Sequence, residues 1–312
     1  MKKVFIAGHN GFVGSNLYNR LKRYRDYDVC VRTRSELDLS DQLSVDEYFK
    51  TKQGFDEVYI CSAKVGGIQA NINDPYSFLF ENIQMQNNLI NACIKYKVKR
   101  VLFLGSSCIY PKDYQQPLKE EYLLNAPLEP TNEGYSLAKI VGLKLCEYAN
   151  KQTDTDFVSV MPCNLYGPGD NFDLEKSHVL SALIKKFVDA KDNNDDKVVI
   201  WGTGKAKREF LYIDDLIDAM VWSMDNIDKT ETFLNVGTGI DMSILDLAML
   251  ICHTIGYKGK VVLDKTKPDG MLKKCLDVSK INRMGWKHKT DLNDGILKSI
   301  EYYRGLKNDW FS

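Results

Sequence analysis

Short runs of β-branched and aromatic residues alternate with longer amphipathic stretches through the first half of the chain. That is the pattern of βαβ units building a parallel sheet covered by helices. Strands are predicted over residues 3–8, 28–33, 57–63, 100–107 and 156–162, and helices over 14–23, 76–96 and 133–151. Beyond about residue 165 the rhythm loosens. A helix is expected over 178–190, then a polar loop Lys191-Asp192-Asn193-Asn194-Asp195-Asp196, extended pieces at 197–201, 210–213, 233–236 and 260–263, and helices at 214–224, 243–255 and 292–303. The fold class this implies is α/β: a Rossmann-type doubly wound parallel sheet over 1–165, followed by a smaller mixed α/β lobe over 166–312. The looser pattern leaves room for segments crossing between the two.

Composition narrows the partners. The 312 residues carry 42 Lys+Arg against 42 Asp+Glu, a formal net charge of zero, without the basic excess that nucleic acid or an acidic membrane calls for. No apolar run reaches the roughly 18 to 20 residues needed to cross a bilayer. Met1-Lys2-Lys3 leads straight into Val4-Phe5-Ile6-Ala7, which reads as a strand rather than a signal peptide. Eight cysteines stand singly with no CxxC pair, so a reducing, cytoplasmic setting is expected. Four widely separated histidines make a metal site hard to assemble, and none is expected.

The first strand runs into Gly8-His9-Asn10-Gly11-Phe12-Val13-Gly14 and then a helix. Glycines at this spacing let backbone N–H groups and a helix N-terminus approach a pyrophosphate, which points to a dinucleotide. An acidic residue at the end of the second strand would select NAD; here the chain reads Val31-Arg32-Thr33-Arg34, and a guanidinium suits the 2′-phosphate of NADP. The alternative is that Arg32 and Arg34 are solvated loop charges. Asp38 and Leu39 are placed to meet the adenine.

Tyr135 and Lys139 stand four apart on one predicted helix face. A nearby ammonium favours a phenolate, so the pair suits acid–base work on a carbonyl, although a packed tyrosine and a solvated lysine at this spacing are common. The strand Val101-Leu102-Phe103-Leu104 ends in Gly105-Ser106-Ser107-Cys108, at the sheet edge where open α/β folds place their ligands. A hydroxyl there can bond a substrate carbonyl beside the tyrosine.

Together these features resemble the extended short-chain dehydrogenases/reductases. Gly8 to Gly14, Ala63-Lys64-Val65-Gly66-Gly67-Ile68, Gly105 to Pro111, Leu128-Glu129-Pro130-Thr131-Asn132-Glu133, Asn164-Leu165-Tyr166-Gly167-Pro168, Arg208-Glu209-Phe210-Leu211 and Lys267-Pro268-Asp269-Gly270 resemble the GDP-L-fucose synthase family nearly end to end. The resemblance implies NADPH-dependent reduction of the C4 ketone of a GDP-4-keto-6-deoxy sugar, with epimerisation at C3 and C5. By the same resemblance Tyr135 donates the proton, Lys139 holds the cofactor ribose and lowers the tyrosine pKa, Ser106 in preference to Ser107 orients the carbonyl, and Cys108 and His178 exchange the carbon-bound protons. It further implies cofactor contacts at Gly8, Asn10, Gly11, Phe12, Val13, Gly14, Arg34, Asp38, Leu39, Ala63, Lys64, Gly105, Tyr135, Lys139, Pro162, Asn164, Leu165 and His178, and substrate contacts at Lys186, Trp201, Arg208 and Asp269.

The family often has arginine where Asn10 and Lys186 stand, and threonine where Cys163 stands. Lysine offers a point charge rather than a planar fork, so how Lys186 would hold a phosphate or sugar differs. A reductase without epimerisation, acting on a GDP-4-keto-6-deoxy-heptose for surface or capsular polysaccharide, is the alternative. A non-catalytic nucleotide-binding sensor is disfavoured, because Tyr135 and Lys139 are both intact. The resemblance also implies a homodimer pairing the helices predicted at 76–96 and 133–151.

Overall fold

The computed structural model describes residues 1–24, 26–174, 177–226, 232–267 and 269–311, the last four by backbone alone. In the first half β1 (Lys2–Ala7), α1 (Phe12–Lys22), β2 (Tyr27–Val31), α2 (Gln42–Lys52), β3 (Glu57–Ile60), α3 (Ile68–Asn73), α4 (Pro75–Lys95), β4 (Arg100–Leu104), α5 (Glu133–Gln152) and β5 (Asp156–Pro162) follow in order. β6 (Asn164–Tyr166), α6 (Val179–Asn193), β7 (Lys197–Trp201), β8 (Lys207–Tyr212), α7 (Ile213–Asn226) and β9 (Phe233–Val236) come next. The chain closes with β10 (Asp241–Ser243), α8 (Ile244–Ile255), β11 (Lys260–Asp264), β12 (Lys273–Lys274), α9 (Ser279–Met284) and α10 (Leu292–Phe311).

The main sheet has the order β2-β1-β3-β4-β5-β9, with every pair parallel. Helices cover both faces, so β3 and the centres of β1, β4 and β5 are buried without alternation and mainly apolar, Glu57 and Ser159 being the polar exceptions. The ring of Phe5 on β1 meets Tyr48, Phe49 and Phe55 at 5.1 to 5.8 Å, which seats α2 against the sheet. Strand order turns between β1 and β3, and the loops leaving the carboxyl ends there form the crevice where ligands of such sheets sit.

The second half departs from the sheet after one residue. β5 ends at Pro162, and β6 begins at Asn164 and pairs with β8 instead. β8 also pairs with β10 and β12, and β7 with β11. β9 then returns to the edge of the main sheet beside β5, so a segment well beyond residue 165 completes the first layer. α6 buries Leu180, Leu183, Ile184, Phe187 and Val188 on one face and stops at Asn194 in the left-handed conformation. α8 opens on a reciprocal cap, Ser243 Oγ accepting from Asp246 N at 3.0 Å and donating to Asp246 Oδ2 at 2.6 Å, and closes at Gly256.

Several local features differ from the sequence reading. α2 escaped it because its apolar positions are few, only Val45 and Phe49 being buried. The polar run at 191–196 begins as the last turn of α6, since solvent-facing charges are compatible with a helix end. β8 begins at Lys207, three residues before the expected start, because Arg208 and Glu209 are polar yet lie in the ladder. No helix among the described residues is long and apolar enough to cross a membrane.

Candidate active site

The glycine turn is built by close approach. Gly8 has φ +90°, and a Cβ there would lie 2.7 Å from the Ser62 backbone; one at Gly14 would lie 2.1 Å from the Gly8 carbonyl oxygen. α1 therefore presses on β1 as only glycine allows. Gly11 forms the N-cap with no side-chain cap, and the first turn holds no acidic residue. Uncapped N–H groups at an exposed helix N-terminus suit a pyrophosphate. Nearby, His9 Nδ1 and Ser62 Oγ are buried without a partner among the described residues. Asn10 and Gly11 are exposed, and Phe12 and Val13 half-buried.

At the end of β2 the two arginines part company. Arg32 donates from Nη1 to the Val31 carbonyl oxygen at 2.7 Å and lies 5.2 Å from the Tyr48 ring centre, while Arg34 is exposed. Asp38 accepts from Ser40 N and Oγ at 2.9 and 2.7 Å, which holds its carboxyl below the usual range, and the Leu39 carbonyl accepts from Asn88 Nδ2 at 3.0 Å. After β3, Asn82 clamps the Lys64 backbone from both sides at 2.7 and 3.0 Å, directly after Ala63. The Lys64 ammonium is itself paired with Glu81 at 2.7 Å and Asp74 at 3.1 Å.

β4 delivers the chemical groups. A Cβ at Gly105 would collide with Met161 at 2.0 Å, so the strand passes tight against β5 before turning at Ser106. Ser106 Oγ caps the short turn Ser107–Ile109, accepting from Cys108 N at 3.2 Å, and its hydroxyl acts on the Tyr135 phenol. Ser107 is buried and turned away from solvent. Lys139, 2% exposed, donates to the Leu104 carbonyl oxygen at 2.7 Å and lies 5.8 Å from the Tyr135 ring centre. Ser106, Cys108, Tyr135 and Lys139 are thus brought together, from β4's end and one face of α5.

The electrostatics differ from the sequence expectation. Burial pushes the Tyr135 phenol above its ordinary value, a charged Cys108 adds to this, and the Ser106 hydrogen bond only partly opposes it. Lys139 does not offset this, because burial pushes its own pKa down to about 8 and it is neutral at the pH where the phenol would ionise. For Cys108, burial acts upward, but the Lys274 ammonium and hydrogen bonds from Ser106, Lys274 and Asn132 outweigh it and hold the thiol below its ordinary value. Lys274 Nζ lies 3.5 Å from Cys108 Sγ. The sequence reading missed this lysine, one of 42 Lys+Arg in a short extended piece with no pattern of its own.

His178 stands at the head of α6, exposed, as the residue before the first helical turn. Its imidazole makes no hydrogen bond to the Ser106–Cys108–Tyr135 group and acts electrostatically on the half-buried Asp170. Pro162 closes β5, and Asn164 and Leu165 follow in β6, where Asn164 Nδ2 donates to the Glu209 carbonyl at 2.8 Å. Cys163, between the strands, is buried, and burial pushes its thiol up.

The remaining four residues gather on the second lobe. Lys186 Nζ donates to the Val199 carbonyl at 3.0 Å and lies 5.7 Å from the ring centre of Trp201, which is 63% exposed. Asp269 accepts from Thr203 N and Oγ1, both at 2.7 Å, and acts on the partly buried Arg208 guanidinium. Pro268, between Lys267 and Asp269 in the predicted motif, lies outside the described residues. An exposed indole and two cations within one lobe suit a base and a polyphosphate. Among the described residues no cluster of three His, Cys, Asp or Glu side chains is arranged to hold a metal ion.

Residues 4–237 match the NAD dependent epimerase/dehydratase family. A putative GDP-L-fucose synthase 2 from Arabidopsis thaliana is 48% identical over 96% of this chain and 91% of its own length. A GDP-L-fucose synthase from Escherichia coli (strain K12) is 44% identical over 97% and 96%. Among solved structures, a GDP-mannoheptose C4 reductase from Campylobacter jejuni with NADP bound is 36% identical, covers 97% of this chain and 98% of its own, and superposes with a TM-score of 0.90.

Proposed function

The chain belongs to the NAD dependent epimerase/dehydratase family, and from that premise we propose that it reduces the C4 ketone of a GDP-4-keto-6-deoxy sugar with NADPH, after exchanging protons at C3 and C5. The observation that carries this reading is the grouping of Ser106, Cys108, Tyr135 and Lys139 at the carboxyl edge of β4.

The bound cofactor supplies a hydride to C4. The chain's own residues do the rest. Ser106 donates to the ketone oxygen and fixes it beside Tyr135, whose elevated pKa keeps the phenol protonated and ready to donate as the oxygen gains charge. Lys139, protonated below about 8, steadies the phenolate left behind. The ketone acidifies both neighbouring C–H bonds, and Cys108, its thiol held below the ordinary pKa by Lys274, removes or returns a carbon-bound proton with His178 as its counterpart.

The glycine turn and α1 hold the cofactor pyrophosphate and Arg34 its 2′-phosphate. Lys186, Trp201, Arg208 and Asp269 take the GDP-sugar. On this reading residues 1–165 bind cofactor and 166–312 mainly bind substrate, with β9 crossing back. A homodimer is supported by the exposed apolar residues Tyr76 and Phe80 on α4 and Leu137, Val141 and Tyr148 on α5. Eight unpaired cysteines are in keeping with a cytoplasmic setting, and the product would feed transfer of a deoxy sugar into surface or capsular polysaccharide.

A second reading, reduction of a GDP-linked keto-heptose without epimerisation, is favoured by the likeness to the GDP-mannoheptose C4 reductase. One assay separates the two: NADPH with GDP-4-keto-6-deoxy-D-mannose, and in parallel with the GDP-linked keto-heptose, in D2O, with deuterium located in the product by NMR. Cofactor oxidation with deuterium at C3 and C5 supports epimerisation and reduction on one chain. Oxidation without deuterium supports the second reading, and absence of oxidation with either sugar sinks both.

A further inference from the structure

Glu209 is fully buried in β8, next to Arg208 in the chain. Its Oε1 accepts from Thr238 N at 2.6 Å and Gly239 N at 2.7 Å, and its Oε2 accepts from Leu276 N at 2.7 Å. A Cβ at Gly237 would lie 2.1 Å from Oε1, so the turn after β9 closes directly on the carboxylate. Burial pushes this carboxyl up while the three N–H groups pull it down. A buried carboxylate met by backbone donors is costly to leave unpartnered and costly to disturb.

The segment that Glu209 grips carries Lys274. β12 is only two residues long, with Lys274 paired to Arg208, so its ladder is thin. Residues 275–277 are held on their other side by the loop that follows Cys108: Leu118 N donates to the Cys275 carbonyl and Asp277 N to the Leu118 carbonyl, both at 2.8 Å, and Gln116 Oε1 accepts from Cys275 N at 3.0 Å. The strap is held by the Glu209 carboxylate, by residues 116–118 and, at Asp277, by the Asn235 amide, which donates to its carbonyl at 3.2 Å. Two residues upstream of the Glu209 tether, the Lys274 ammonium meets the Cys108 sulfur at 3.5 Å.

We propose that Glu209 is a positioning residue: its buried carboxylate fixes the strap of residues 274–277 and so holds the Lys274 ammonium against the Cys108 sulfur. Other groups that act on that thiol are Ser106 from its own turn and Asn132 from the turn before α5, and it acts in turn on Tyr135 from α5. Lys274 is the sole cation among these five residues. The proposal rests on the epimerase/reductase reading only for its consequence, that proton exchange at carbon depends on a residue touching neither substrate nor cofactor.

Glu209→Gln discriminates between tethers. The amide oxygen can still accept from Thr238 and Gly239, but the amide nitrogen then faces Leu276 N, donor against donor, and the strap is released. The measurement is the pH dependence of Cys108 alkylation by iodoacetamide in the purified protein, followed by peptide mass spectrometry between about pH 5 and 10. It needs no sugar substrate, so its failure is separate from failure of the functional reading.

We expect Glu209→Gln to slow alkylation at neutral pH about tenfold, a rise of about one unit in the thiol midpoint. Lys274→Met should match it, and the double variant should be no slower than Lys274→Met alone. A folded Glu209→Gln protein with the parent profile overturns the proposal, as do losses that multiply in the double variant. Should Glu209→Gln fail to fold by circular dichroism, Glu209→Asp serves instead. It keeps the charge but withdraws it by one methylene, so a smaller shift in the same direction is expected and a parent profile overturns the proposal.

Discussion

Lys139 places its ammonium 2.7 Å from the Leu104 carbonyl oxygen, with 2% of the residue exposed. Burial lowers its pKa from an ordinary 10.5 to about 8. Below about 8 the folded protein carries the full cost of a buried charge. Between about 8 and 10.5 the unfolded chain binds more protons than the folded one, so this contribution to stability rises with pH across that window. Lys139→Met should therefore abolish turnover yet raise stability at pH 7. The gain is on the order of 3 kcal/mol for the charge, less about 1 for the orphaned carbonyl, and it fades as pH approaches 10.5. Urea denaturation at neutral and alkaline pH checks this; a variant less stable than the parent at pH 7 removes the argument.

Tyr135→Phe removes the proton donor and leaves the ring that packs beside Lys139. NADPH oxidation should fall by about 10² to 10⁴ while cofactor affinity, read by titration calorimetry, stays within about threefold. Turnover at the parent rate would transfer the donor role to another group.

Cys108→Ser replaces a thiol held below its ordinary pKa by a hydroxyl that does not ionise near neutrality. Deuterium exchange at C3 and C5 should drop by about 10² or more, with reduction of an already epimerised substrate changed by less than about tenfold. Equal losses in both would tie Cys108 to the reduction or to the shape of the site.

The sheet was legible in the sequence because buried parallel strands leave apolar runs, unbroken in β1 and β4 and interrupted only by the buried polar residues Glu57, Ser159 and Asn235 in β3, β5 and β9. The glycine turn and the Tyr135–Lys139 pair were legible because their spacing is set within one element. Lys274 was not: it reaches Cys108 across 166 residues, and nothing local to a two-residue strand marks it. Glu209 lay inside a recognised motif, but its partners are backbone groups, which no side-chain pattern reveals. The direction of the Tyr135 shift was also hidden, since it depends on the burial of the phenol and of Lys139 alike.

Arg34→Ala should separate the two nicotinamide cofactors. Arg32 is occupied by the Val31 carbonyl and the Tyr48 ring, which leaves Arg34 as the exposed guanidinium at the end of β2. KM for NADPH should rise about tenfold or more, equivalent to about 1.4 kcal/mol, with KM for NADH nearly unchanged. The matching Arg32→Ala variant should leave the NADPH:NADH ratio as it was; an inverted outcome assigns the 2′-phosphate to Arg32.

α4 and α5 pack together along their length and turn apolar side chains outward. On α4 the rings of Tyr76, 71% exposed, and Phe80 stack at 5.5 Å with 9° between their planes. On α5 Leu137, Val141 and Tyr148 recur at helical spacing on one exposed stripe. A second copy brought up by a twofold axis would set these stripes against each other and bury them in a four-helix contact. Phe80→Glu distinguishes this arrangement from a solvated face. On a monomer, a charge at this exposed helical position costs within about 0.5 kcal/mol and changes nothing in solution mass. In a dimer it places two carboxylates in an apolar contact, so sedimentation equilibrium should show the parent at twice the chain mass and Phe80→Glu near one. A parent that sediments as a single chain leaves the α4–α5 face without a second copy, and the homodimer is withdrawn.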